Sequence, residues 1–283
     1  MFKFLNHLVP ARFRKSNPHV NVVRLEGVIT SGRGGLSPRL NAKSLDPILK
    51  KAFKKGTTAV ALAINCPGGS PVQSALIAAK IRELSTEHKI PVLAFCEDVA
   101  ASGGYWLACA ADEIFADENS IVGSIGVISG GFGFPKALSK LGVERRIYTA
   151  GISKSTNDPF KPESKEDVAK LKALLREIHE SFKSLVRKRR AGKLKAKESE
   201  LFNGAFWTGN KALSLGLIDG VGHMGEILKR KFGDKVEIEE KSAAKSFGQR
   251  WFGMATRHDF ATELGEVALT TLETRALWQR FGL

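Results

Sequence analysis

The sequence predicts a protein of the α/β class, in which strands and helices alternate along the chain. Two apolar runs, 20–25 and 59–64, have the length of buried strands, and a helical stretch near 45–54 lies between them. Residues 164–191 contain neither Pro nor Gly and carry apolar side chains at steps of three and four, which predicts one long amphipathic helix. This order is typical of a sheet covered by helices.

The remaining elements follow the same alternation. We predict a helix near 74–84, a strand at 91–95, a helix from about 102, and strands near Ile114, Ile121 and Arg146. A further helix–strand unit is predicted over 202–222. The predicted domain organisation is a basic amphipathic arm at 1–19, one domain at 20–233, and an amphipathic tail at 234–283 that packs on its own domain, on a neighbouring subunit as an oligomer contact, or on a bilayer surface.

The positive charge is concentrated at two places in the 283-residue chain. The net charge is +15 overall, divided as +10 over 1–55, −2 over 56–160, +6 over 161–200 and +1 over 201–283. A nucleic-acid enzyme is expected to carry its positive charge around the working cleft, but the Gly-rich middle is slightly acidic. No nucleic-acid partner is therefore expected.

The apolar runs and the cysteines indicate a location inside the cell. Runs such as 59–64 and 105–111 fall well short of the ~18 residues that span a bilayer, and the N-terminus lacks the apolar core of a signal peptide. Three cysteines without metal-ligand spacing are typical of reduced core thiols. We expect a cytoplasmic protein, or one held peripherally on the cytoplasmic face of the bacterial inner membrane by its basic arm.

Two Gly-containing turns stand directly after predicted strands, where α/β folds place their ligand sites. The turn at 65–70 contains Gly68 and Gly69, whose backbone N–H groups can approach an anion closely, although such a turn is also a common chain reversal. The turn at 100–106 places Ser102 among small residues before a helix, which suits either a nucleophile or an ordinary helix cap.

A nucleophilic serine needs a base, and the sequence offers no nearby histidine. Residues 89–178 contain no His, so lysine is the other known type of base. Lys154 lies in a polar loop after the strand predicted near Arg146, where a solvated side chain is the alternative. A lysine base must be shielded from water, and Ser124, in an apolar stretch, offers a hydroxyl that could orient it.

These motifs resemble those of the signal peptide peptidase A/SohB family of Ser-Lys serine proteases, which has the Clp protease/crotonase fold of repeated ββα units. The resemblance covers roughly residues 20–232 and is carried by the segments 67–69, 101–105, 123–127 and the Lys after a Gly at 151. It implies Ser102 as nucleophile, Lys154 as general base, Ser124 as the residue that orients the lysine, and Gly69 with the Ser102 backbone as oxyanion hole. It also implies no metal or cofactor, and a homo-oligomer such as a tetrameric or octameric ring.

The prediction of a substrate-binding surface is based on a Gly- and Phe-rich segment, 128–135. Gly130 and Phe132, with Gly68, are the candidate substrate-binding residues for apolar peptides such as signal-peptide remnants, and a flexible turn is the alternative. Two rival functions stay open. One is a crotonase-type acyl-CoA enzyme, which would not need Lys154. The other is a catalytically silent scaffold at the membrane.

Overall fold

The computed structural model describes residues 17–31, 39–151, 153–242 and 275–282, and most of the predicted N-terminal arm lies outside these residues. Ten strands are described: β1 His19–Glu26, β2 Val28–Ile29, β3 Arg39–Leu40, β4 Ala59–Cys66, β5 Val92–Ala101, β6 Glu113–Ala116, β7 Ile121–Gly123, β8 Phe206–Thr208, β9 Gly220–Val221 and β10 Glu237–Lys241. The helices are α1 Ala42–Ala52, α2 Pro71–His88, α3 Gly103–Ala108, α4 Pro135–Lys140, α5 Lys165–Arg189, α6 Glu198–Leu201, α7 Gly209–Leu215 and α8 Met224–Phe232. A short helix at 275–279 follows.

The main sheet confirms the predicted α/β class. Its strand order is β10-β1-β4-β5-β6-β9, and all of these neighbours are parallel. Strands β1 and β4 are buried on both faces because helices α1, α2 and α3 pack on one face and α8 packs on the other. Their near-continuous apolar sequences follow from this double coverage.

Strand β5 changes partner halfway along its length, and this change builds the site. Residues 93–96 pair with β6, whereas 99–101 pair with β7, and the pairing of β5 with β4 shifts register in between. Strand β7 in turn pairs antiparallel with β8. The second half of β5 therefore leaves β6, runs beside β7 and leads into the turn at Ser102.

The long helix α5 is confirmed, with Ser164 as its N-cap. Its inner face reaches the core through Phe182 and Val186, and the ring of Phe182 stacks on Trp106 of α3 at a centroid distance of 4.9 Å. This contact fixes α5 beside the helix that follows Ser102. Among the described residues, no helix combines the length and the apolar character needed to cross a membrane.

Two expectations about the fold need correction. No strand forms at Arg146, because residues 143–149 are largely exposed and no neighbouring strand lies beside them within the described chain. The main sheet also extends beyond the boundary that we placed at 233, since β10 pairs with β1 from His19 to Val23. Of the predicted tail, only residues 234–242 and 275–282 fall within the described chain.

Candidate active site

The turn between β5 and α3 holds Ser102 in a strained backbone conformation. Ser102 has φ 53° and ψ −120°, values that an L-residue rarely adopts and that cost roughly 1–3 kcal/mol. Its N–H donates to the carbonyl oxygen of Gly123 at 2.8 Å, and its own carbonyl accepts from the Trp106 N–H at 3.0 Å. As the N-cap of α3, it makes no side-chain capping hydrogen bond. The ordinary helix-cap interpretation of Ser102 therefore has no support.

The turn at Gly68 and Gly69 lies directly against Ser102. A Cβ on Gly68 would stand 2.8 Å from the Ser102 Cβ and 2.9 Å from the Gly103 nitrogen, so only Gly permits this approach. The Gly68 carbonyl accepts from the Ile29 N–H at 2.8 Å, and the Ser70 N–H donates to the Ile29 carbonyl at 2.8 Å. The Ile29 N–H and carbonyl thus bond to Gly68 and Ser70 and not to the Gly69 N–H, and Gly69 lines the pocket beside Ser102.

The resemblance implied the Ser102 backbone N–H as one of the two oxyanion donors, but this N–H already has an acceptor in the structure. The Ser102 N–H is already used by the Gly123 carbonyl, so the expectation that it serves as a donor is corrected. The N–H groups of Gly69 and Gly103 have no backbone acceptor among the described residues, and both glycines line the same pocket. Both N–H groups are therefore available to an anion in the pocket, and Gly103 also lies at the start of α3, where the helix dipole favours negative charge.

The pocket beside Ser102 has a volume of about 200 Å³ and a largely apolar wall. Its described lining residues are Pro67, Gly69, Pro71, Ser74, Ser102, Gly103, Trp106, Gly126, Val127, Ile128, Ile178, Phe182, Leu277 and Arg280. The sequence did not predict that α5 and the C-terminal residues border this pocket. The three- and four-residue spacing in α5 predicted its buried face, but it did not show that Ile178 would border a pocket.

Ser124 lies next to the turn, immediately after Gly123. It is 4% exposed and has φ 53°, and its N–H donates to the Ala205 carbonyl at 2.7 Å. The His179 ring nitrogen Nε2 lies 3.0 Å from the carbonyl oxygen of Ile125, which ties this stretch to α5. Ser124 is thus held close to the backbone of Ser102 through Gly123.

Lys154, Gly130 and Phe132 lie outside the pocket. Lys154 is exposed, and its N–H closes a turn with the Gly151 carbonyl at 3.2 Å. Gly130 is exposed with open space around it, and the Phe132 side chain is 83% exposed. Within one described chain, Ser102, Gly69 and Gly68 therefore lie together, and Ser124 lies beside them. The other three predicted site residues are separate from this group.

Cys66, at the end of β4 beside this turn, is not a competing nucleophile. Complete burial raises the pKa of its thiol to about 12, with only partial compensation from a contact with the Gly68 carbonyl. The thiolate form needed for attack is therefore scarce at neutral pH.

A serine at a strained strand-to-helix turn, facing two free N–H groups and an apolar pocket, is the arrangement of an acyl-transfer hydrolase. The family model of peptidase family S49 matches residues 85–236, which include Ser102 and Lys154. A putative signal peptide peptidase SppA from Enterococcus faecium is 33% identical over 250 residues, which cover 84% of this chain and 71% of that protein. The chain belongs to peptidase family S49 and contains the domain of a serine peptidase.

A second relative is much longer than this chain. A Brucella abortus protein named Na(+)/H(+) antiporter NhaA is 50% identical over 287 residues, which cover 99% of this chain and 39% of that protein. The chain thus spans about two-fifths of its length.

Solved structures show the same fold. The 1510-N membrane-bound stomatin-specific protease, in a mutant form with a substrate peptide, superposes with a TM-score of 0.53 at 17% identity, over 83% of this chain and 96% of that one. This likeness confirms the Clp protease/crotonase type of fold.

We predict that Gly69→Ala damages both the fold and the site. The new Cβ would collide with the Ile29 carbonyl, and the φ of +137° suits Gly alone, so the free energy of unfolding should fall by about 2 kcal/mol or more. Hydrolysis of peptides should fall at least about 100-fold, because one oxyanion donor is displaced. Chemical denaturation and kinetics measure the two effects.

Gly225→Ala is the matched control. A Cβ on Gly225 meets nothing within 4 Å, and the residue lies in helix α8, so its stability and activity should stay close to those of the wild type. A fully active and stable Gly69→Ala variant would contradict the close packing of this turn.

Proposed function

We propose that this protein is a serine endopeptidase that cleaves peptides through an acyl-enzyme on Ser102, with Lys154 as the general base. The observation that carries the proposal is the strained turn, which holds the Ser102 side chain at a pocket that also contains the Gly69 and Gly103 N–H groups. In the proposed reaction, the Ser102 hydroxyl attacks the peptide carbonyl, and its proton passes to the uncharged Lys154 amine. The proton then goes to the leaving amine, and water later releases the acyl group.

The two glycine N–H groups stabilise the oxyanion in this scheme. The negative charge develops on the carbonyl oxygen only in the transition state, so donors that are fixed beforehand lower the barrier without reorganisation. Because Gly69 is tied by the hydrogen bonds of its neighbours to Ile29, and Gly103 by the start of α3, both donors are rigid.

Apolar peptides are the proposed substrates. The pocket wall contains the Trp106 and Phe182 rings and the Ile178 side chain, which can cover an apolar segment and exclude water. The Enterococcus faecium relative is named as a signal peptide peptidase, which agrees with remnants of signal peptides as one source of such segments.

We propose that Lys154 reaches a catalytic serine only when two copies of the chain assemble. Segment 128–163, which carries Lys154, exposes several large apolar side chains to solvent: Ile128, Phe132, Leu141, Val143 and Tyr148, all between 51% and 90% exposed. A surface of this kind is typical of an interface. A ring of identical copies would cover the segment, shield the lysine from water and bring it to a neighbour's pocket.

Segment 128–163 has enough internal structure to present Lys154 to a neighbouring copy. The Phe134 ring stacks on Phe160 at 5.4 Å, and Arg145 lies over Phe160 at 4.4 Å and forms an ion pair with Asp158. The Phe134 N–H also donates to the Pro159 carbonyl at 2.7 Å. The two ends of the segment are therefore held together, so that Lys154 is presented on an ordered support.

Ser102→Ala and Lys154→Ala should each reduce peptide hydrolysis at least about 1,000-fold while leaving the fold intact, because each removes one reacting group. Steady-state kinetics on a fluorogenic apolar peptide, with circular dichroism as the check on folding, measure this. Lys140→Ala, which removes another lysine of the same segment, should remain active. Retention of full activity in either of the first two variants would refute the dyad.

The arrangement between copies makes a separate prediction. When the Ser102→Ala and Lys154→Ala chains are co-expressed, an intact serine from one chain can meet an intact lysine from the other, and random mixing should restore roughly a quarter of the wild-type activity. Activity of the purified mixed assembly is the measurement. If mixed assemblies form but remain as inactive as the single variants, the lysine is not supplied by a neighbouring copy.

A further inference from the structure

The C-terminal segment, residues 275–282, is anchored on the strand that leads to the nucleophile. The Phe281 side chain is 8% exposed and forms a buried cluster with Val99 and Ala101 of β5. It also meets the ring of Phe206 edge-on at 5.1 Å. Because Ala101 immediately precedes Ser102, the anchor sits one residue from the strained turn.

This anchor places two other side chains of the segment at the catalytic pocket. Leu277 and Arg280 line the pocket together with Ser102 and Gly103. Arg280 itself is exposed, so the pocket is open to solvent where Arg280 borders it. The segment thus forms a wall that neither the sheet nor α5 supplies.

Arg280 gives the pocket its charge. Among the described residues that line the pocket, Arg280 is the only charged one, and the others are apolar, glycine or serine. Within the described chain its guanidinium has no carboxylate partner. The guanidinium carbon lies 5.8 Å from the centroid of the Phe281 ring. Within the described chain, a substrate group in the pocket therefore meets one positive charge that no carboxylate pairs with.

We propose that Arg280 is a specificity-determining residue, held by the Phe281 anchor, which makes the enzyme favour peptides with a carboxylate beside the apolar segment that fills the pocket. This inference rests on the proposed function, since it concerns recognition at the same site. Charge-assisted hydrogen bonds from a guanidinium to a carboxylate are strong and can be bidentate, whereas a lysine side chain at the same place is repelled. Phe281 acts as a positioning residue, because it packs on Val99 and Ala101 of β5 and is not among the described residues that line the pocket.

The test uses fluorogenic apolar hexapeptides. At each position around the cleaved bond in turn, the apolar residue is replaced by Glu, Gln or Lys. For the wild type, we expect kcat/KM to be about tenfold higher with Glu than with Lys at one position, and this ratio should shrink as salt screens the charge. Arg280→Gln should bring the ratio to within about threefold, and Arg280→Glu should reverse it. Arg275→Gln, which removes a charge from the same segment but not from the pocket, should keep the wild-type ratio.

Phe281→Ala tests the anchor. It should lose the preference for Glu as Arg280→Gln does, and Phe281→Leu, which keeps an apolar anchor, should regain most of it. A purely structural defect would lower kcat/KM for all peptides equally and leave the ratio unchanged, which would overturn the positioning role.

Binding to the Ser102→Ala variant separates this inference from the proposed function. Fluorescence anisotropy with the Glu and Lys peptides reports recognition without hydrolysis. If binding favours the Glu peptide and Arg280→Gln abolishes that preference, the inference about Arg280 is supported. If the wild type cleaves none of the peptides, the peptidase proposal is refuted, but the inference about recognition still stands. Equal binding of both peptides, or a preference that survives Arg280→Gln, overturns the inference.

Discussion

The hydrogen bond from the Ser102 N–H to the Gly123 carbonyl is the constraint on which the site depends. It pairs the last residues of β5 with β7 and forces the chain to turn sharply before α3 begins. The Ser102 N–H is thereby occupied, whereas the Gly103 N–H has no backbone acceptor in the part of the chain that the structure describes. The strain at Ser102 persists because Gly68 packs against it, and the turn that contains Gly68 is held by hydrogen bonds to Ile29.

This turn also explains the density of glycine in the two motifs. A Cβ on Gly104 would collide with the Cys66 carbonyl, and a Cβ on Gly103 would lie 2.6 Å from the Ser74 hydroxyl oxygen. The end of β4 and the start of α3 therefore approach each other at backbone distance. Close approach of this kind requires glycine for packing as much as for chemistry.

The sequence predicted the elements whose apolar patterns are set by their own burial. Strands β1 and β4 and helix α5 could be found because continuous or periodic apolar residues leave few alternatives. The turn at Ser102 could be found because small residues follow a strand there. The N–H of Gly103 could not be predicted as the available donor. Which N–H has an acceptor depends on the pairing of β5 with β7, and a sequence pattern does not reveal that pairing.

The strand expected at Arg146 did not form, since a strand needs a neighbour and none lies beside it in the described chain. The wall formed by Leu277 and Arg280 depends on a contact across more than 170 residues, for which local spacing holds no signal.

The most direct measurement is the identification of the residue that a fluorophosphonate modifies, by mass spectrometry of the digested protein. A fluorophosphonate reacts with an activated serine and mimics the oxyanion of the tetrahedral intermediate, so it reports the nucleophile and its donors together. The account predicts a single adduct on the peptide that contains Ser102, formed at a rate that falls steeply when Lys154 is replaced. An adduct on a different serine, or no adduct on a folded assembly that cleaves peptides, would contradict it.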